Sequence, residues 1–191
     1  AFVPLLAATR AREGDAATRE LVDAVASVLA WTMLLVCALG VVAAPVLVWM
    51  LASGFAPKTN DAAVLMTRWM FPYIGCMSLV ALSAGILNTW RRFALPAFTP
   101  LLLNAAVITA ALLGVPWFKQ HGIEPVYALA AGTMLGGLLQ LGIQVPALWR
   151  LGMLPRLAGT PGGLLRAWRH AGVAQMLGKM GPAVIGVSVS Q

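Results

Sequence analysis

Long apolar runs alternate with short charged ones along this chain. No Asp, Glu, Lys or Arg occurs from Ala24 to Pro57, from Trp69 to Trp90, from Phe93 to Phe118 or from Pro125 to Trp149. A helix needs about 20 apolar residues to cross a hydrocarbon core ~30 Å thick, and each run is long enough. The pattern predicts four complete membrane-spanning helices over 23–53, 61–90, 96–116 and 125–149. Shorter apolar stretches at 1–7 and 180–191 read as the end of an earlier span and the start of a later one. "AFVPLLA" lacks the basic lead and cleavage site of a signal peptide. The expected fold class is an all-α polytopic membrane protein, of which this chain is an internal piece.

Breakers and charges set the joints. Residues 8–22 form a charged connector, 54–60 and 117–124 short loops on one side, and 91–95 a tight turn on the other. Pro45 lies inside the first span and kinks it. Asn60 or Asp61 is suited to cap the second. That helix is longer than a membrane core, so Arg68 is expected near its outer interface. Pro96 and Pro100 suit a first helical turn, having preset backbone angles and no N–H. With Asn88, Thr89, Arg91 and Arg92 they make a rigid hairpin. Gly132 and Gly136 offer a small-xxx-small face for close helix packing. Residues 150–179 form a Pro- and Gly-rich connector whose amphipathic part, with Leu164, Leu165, Trp168 and Met176 on one stripe, reads as a helix on the membrane surface.

Composition agrees: 60% of residues are hydrophobic and 10% charged, against about 25% charged in soluble domains. The net charge of +7 first suggests a nucleic-acid partner. The arrangement of the charges argues against one. Arg10, Arg12, Arg19, Arg91, Arg92, Arg150, Arg156, Arg166 and Arg169 fall in one set of connections, and only Lys58, Arg68 and Lys119 in the alternate set. Basic residues flanking spans are retained on the cytoplasmic side, so the first set is expected there. Cys37 and Cys76 sit in apolar runs without metal-like spacing, and read as small buried side chains.

Candidate chemistry is sparse. The six acidic residues lie in loops and flanks, with no paired carboxylates, no His/Cys cluster and no phosphate-cradling loop, so an enzyme is not expected. No cofactor or metal is called for, and His170 reads as a solvated surface residue. Asn88, Asn104 and Gln140 are costly to bury, and are expected to face other helices or a wet cavity. Lys179 opens the final stretch, where Ser188, Ser190 and Gln191 give a polar face suited either to a cavity wall or to packing.

Four motifs taken together carry a family resemblance: "AFVP" before a charged connector, "FPYI" at 71–74, "GILNTWRRFALPAF" at 85–98 and "MGPAVIGVSVSQ" at 180–191. The chain resembles the MurJ (MviN) family of bacterial lipid II flippases, within the MOP superfamily. That resemblance implies a fourteen-helix, MATE-like transporter with two lobes around a central cavity. The chain would hold the end of family helix 2, helices 3 to 6 and the start of helix 7. The implied activity is movement of undecaprenyl-pyrophosphate-linked peptidoglycan precursor (lipid II) across the bacterial inner membrane by alternating access. Membrane potential or an ion gradient would drive it. Implied partners are lipid II, membrane lipids and other cell-wall synthesis proteins. The family's cavity arginines belong to helices 1, 2 and 8, at positions this chain lacks. Arg68, Arg92, Asn88, Thr89, Ser188, Ser190 and Gln191 match family positions, whereas Arg91 stands where other members carry a neutral polar residue. The resemblance makes Ser188, Ser190 and Gln191 cavity-wall contacts, and Arg68 an anion or gate contact. Rival readings are another MOP transporter, with a polysaccharide lipid or drug as cargo, and a membrane scaffold for cell-wall enzymes.

Overall fold

The computed structural model describes residues 2–52, 54, 56–176 and 178. Helix α1 spans Phe2–Leu51, α2 Pro57–Thr89, α3 Ala94–Thr109, α4 Val115–Gln120, α5 Val126–Arg150 and α6 Pro161–Trp168. A π-helical turn, Ala110–Gly114, joins α3 to α4, making one rod of 27 residues. Among the described residues, four helices are long and apolar enough to cross a membrane. The long helices pack chiefly as α1 with α2, α2 with α5 and α3 with α5, and α6 packs on α1.

α1 is two helices broken at Gly14, whose φ of 83° and ψ of −175° leave the helical region. Only glycine adopts such angles cheaply, so the connector at 8–22 is helical on both sides of a fixed bend. Thr18 donates its hydroxyl to Gly14 O at 2.7 Å, tying the first turn of the second segment to the bend. The first segment then packs Leu5 and Leu6 among Leu82, Ile86 and Leu87 of α2.

The hairpin between α2 and α3 is a Schellman turn. Arg91 N–H donates to Asn88 O at 3.0 Å and Arg92 N–H to Leu87 O at 2.9 Å, with Arg91 at φ 57°. The same pairing closes α4 at Gly122 and α5 at Gly152. Arg91 is the non-glycine residue among the three.

α3 begins at Ala94, so Pro96 lies in its first turn, where N–H groups have no intrahelical acceptor. Pro100 does not: it sits inside the helix, in contrast to the expectation of two first-turn prolines. Thr99 explains how. Pro100 has no N–H for Pro96 O, and the Thr99 hydroxyl donates to that carbonyl instead, at 2.8 Å. α2 likewise starts at Pro57 with Ala56 at its N-cap and no side-chain cap, so neither Asn60 nor Asp61 plays that part. The proline itself presets the first turn.

Glycines set the helix contacts. Gly40 of α1 receives the Phe71 ring, and Gly75 of α2 lies 2.9 Å, measured from an added Cβ, from Cys37 Sγ. On α5, Gly132 faces Ala110 and Ala106 O, Gly136 faces Leu103, and Gly137 turns to Tyr73 of α2. The expected small-residue face therefore packs on α3, and its neighbour glycine on α2.

Candidate functional site

All three arginine-bearing connections meet at one end of the bundle. There a core of Leu5, Leu6, Leu21, Val22, Val25, Leu87, Leu148, Met153, Ala167 and Val173 ties α1, α2, α5 and α6 together. Far from that end the helices expose large apolar side chains. Leu34, Leu35, Leu39, Val42 and Leu51 of α1 are 59%, 60%, 59%, 78% and 86% exposed. This pattern suits hydrocarbon on the outside and the larger cluster of buried aliphatic side chains at the arginine-rich end.

Two side-chain arrangements hold that end. Arg10, just before the bend, donates Nε to Asp15 Oδ1 at 3.1 Å and Nη1 to Thr89 O at 3.3 Å. Its guanidinium carbon lies 4.5 Å from the Trp90 ring centre. One arginine thus joins both sides of Gly14 to the end of α2. Asp23, Ser27 and Trp31, spaced four residues apart on one face of α1, form a second row. Asp23 Oδ1 accepts from Arg156 N at 2.8 Å, Ser27 Oγ from Ala158 N at 2.9 Å, and Trp31 Nε1 donates to Ala158 O at 2.9 Å. The extended connector after α5 is laid along α1 as a strand would be. Neither arrangement was evident in the sequence reading, although the spacing of Asp23, Ser27 and Trp31 was there to be seen.

Polar space also gathers here. A cleft of about 340 Å³ is lined by Thr9, Arg12, Glu13 and Gln175. An adjoining one of about 200 Å³ adds Glu20 and His170. His170 is half-buried, and its Nδ1 accepts from Gly172 N at 3.1 Å. It caps a second helical piece over 171–176. The connector is therefore two short helices, not the single surface helix expected. Leu165 is exposed, while Trp168 and Met176 border an apolar cavity against α1 and α2. Among the described residues, no group of three His, Cys, Asp or Glu is placed to hold a metal.

The residues singled out from sequence are not brought together. Arg91 and Arg92 are exposed on the hairpin, and Asn88 and Thr89 half-buried beside it. Thr89 meets Arg10 through its carbonyl. Arg68 is exposed on α2, 21 residues or about 32 Å from Thr89, without a hydrogen-bond or ion-pair partner among the described residues. That distance is about the thickness of a hydrocarbon core. Asn104 is exposed on α3 rather than turned to another of these helices. Lys179, Ser188, Ser190 and Gln191 lie outside the described residues.

Four apolar spans held at a single arginine-rich end define a multi-pass integral membrane protein. The family model for lipid II flippase MurJ matches residues 1–191. The chain belongs to that family. A lipid II flippase MurJ of Burkholderia cenocepacia is 45% identical over all of this chain and 36% of its own length. A probable lipid II flippase MurJ of Haemophilus influenzae is 35% identical over all of this chain and 37% of its own. One from Vibrio cholerae is 33% identical, over all of this chain and 36% of its own. The chain thus spans just over a third of these relatives. They are bacterial, and the protein is a multi-pass inner-membrane protein.

Proposed function

We propose that the protein carrying this chain moves lipid II, the undecaprenyl-pyrophosphate-linked peptidoglycan precursor, from the inner to the outer leaflet by alternating access. The match of the lipid II flippase family model to every residue of the chain carries this reading. The physical task is clear. A pyrophosphate cannot cross hydrocarbon unaided, because an unpaired charge there is too costly. Arginines in a wet cavity bind such a group through paired N–H donors, while the polyprenyl tail stays in lipid.

On this reading the arginine-rich end faces the cytoplasm. The joint made by Arg10, Asp23, Ser27 and Trp31 makes this part of the protein a rigid body that rocks as a unit. Arg68 meets anionic groups or a gate at the outer end, and Ser188, Ser190 and Gln191 line the cavity wall. Membrane potential or an ion gradient drives the cycle, without a cofactor. Other cell-wall synthesis proteins act beside it.

The test is depletion of the protein in its own cells, with labelled lipid II assayed in each leaflet. Accumulation on the cytoplasmic side with loss from the outer face is expected. An unchanged distribution, with no redundant transporter present, would overturn the proposal in favour of another cargo or a scaffold.

A further inference from the structure

Two glutamines in the second half of α5 stand out from everything around them. Gln140 and Gln144 are 2% and 0% exposed. Gln140 Oε1, Gln144 Oε1 and Gln144 Nε2 are buried with no hydrogen-bond partner. Interiors seldom leave polar atoms unsatisfied, and in a membrane the cost is not relieved by bulk water. Gln144 is enclosed by this chain's own atoms, so neither a lipid nor another protein segment reaches it from outside. Whatever satisfies these atoms is small and sits inside the bundle.

The chemistry of the three atoms selects it. Two are carbonyl oxygens that accept, and one is an amide nitrogen that donates. A single water donates two hydrogens and accepts one, and about three such bonds are usual for a buried water. A cation would confront the amide N–H, and an anion the two carbonyl oxygens. Turning the Gln144 amide over exchanges its ends without changing the count. The spacing fits too. Residues four apart on a helix lie on one face with Cβ atoms about 5–6 Å apart, so the two flexible side chains can bring their amides to one water-sized site.

Position adds a further polar group. Gly132 beside Ala106 and Val107, and Gly136 beside Leu103, fix an antiparallel register between α5 and α3. Continued by one turn, that register sets Gln140 level with Thr99. Thr99 is 5% exposed, and its hydrogen is committed to Pro96 O, leaving an oxygen lone pair at the edge of the site. Gln144 is six residues from Arg150, about 9 Å along the axis.

We propose that Gln140 and Gln144 hold one structural water inside the bundle, between α5 and α3 in the half nearer the arginine-rich end. The water stitches the two helices at a fixed register.

The test is a structure of the whole protein in lipid nanodiscs, at a resolution that shows waters. Melting temperatures in sodium, potassium and choline chloride accompany it, for wild type, Gln144→Leu and Gln140→Leu/Gln144→Leu. Density at hydrogen-bond distance from all three atoms is expected, with the same melting temperature in each salt. Gln144→Leu alone should melt lower than the double variant, because it strands Gln140 Oε1 and the water together. Direct bonding between the two amides, or bonding of either to protein groups with no density between, would overturn the proposal. So would contacts at metal–oxygen distances with melting raised by one cation. The density result decides alone if a variant fails to accumulate.

Discussion

Arg91 shows how a single residue departs from the rule its neighbours follow. Gly122 and Gly152 occupy the left-handed position of their Schellman turns without strain, whereas Arg91 adopts φ 57° with a full side chain. Left-handed backbone costs a non-glycine residue about 1–2 kcal/mol, partly offset by the greater freedom glycine loses on folding. Arg91→Gly should therefore stabilise the protein by about 1 kcal/mol, read as a higher melting temperature in detergent, with Arg92 keeping a positive charge at the turn. Thr99 makes the opposite prediction. Thr99→Val removes the hydroxyl that serves Pro96 O beside Pro100, and stranding an acceptor costs up to about 1–3 kcal/mol when it is cut off from water, so melting should fall. Neither residue's role was legible beforehand. Proline spacing pointed to the hairpin, but where the helix starts depends on a side-chain bond no pattern reveals. The same holds for Arg10: charge alone marks it as a topology signal, and its stacking on Trp90 appears only once α1 bends at Gly14.

At the scale of helices, most of the architecture was legible because hydrocarbon imposes it. Apolar runs without charge must be helices, having no water to satisfy their backbone, and the glycines at 132 and 136 marked a contact face. Which helix meets that face was not legible, since Gly132 and Gly137 are five residues apart yet touch α3 and α2 respectively. The close approach makes a direct prediction. Gly132→Val places a branched side chain against Ala110 and Ala106 O. Overpacking of this kind costs typically about 1–3 kcal/mol, so the variant should melt lower. Gly142→Val, at a glycine with open space around it, should be close to neutral. Equal effects at the two positions would contradict the packing. The form of the connector after α5 was legible only in part. Its amphipathic stripe could be read from spacing, but not that the row of Asp23, Ser27 and Trp31 straps its extended part to α1 or that His170 divides its helix. Ser27→Ala removes the acceptor for Ala158 N and should raise amide exchange at Ala158 and its neighbours without unfolding α5.

Across the whole molecule, binding is concentrated at one end. The cluster built on Leu5, Leu21, Leu87 and Leu148, the Arg10 clamp and the connector strap sit where the arginines are, while the opposite ends of the spans bury mainly small residues such as Ala44, Ala128 and Ala130 and present apolar surface. This division matches what a transporter lobe needs: a stiff base from which helices extend into lipid. Family membership came from motifs dispersed over the chain, such as "GILNTWRRFALPAF" and "MGPAVIGVSVSQ", and not from any cluster of reactive groups. The reason is physical. Moving a lipid between leaflets, as proposed, makes and breaks no covalent bond, so it calls for no compact cluster of reactive side chains. The central claim is movement of a lipid-linked pyrophosphate between leaflets, and its most direct measurement is in vesicles. The protein expressed from its complete gene would be reconstituted with fluorescent lipid II, and the fraction accessible to a membrane-impermeant reagent followed over time. Protein-dependent exchange of lipid II between leaflets is predicted, with protein-free vesicles showing none. Vesicles containing folded protein and an imposed potential or ion gradient that exchange lipid II no faster than protein-free ones would contradict it.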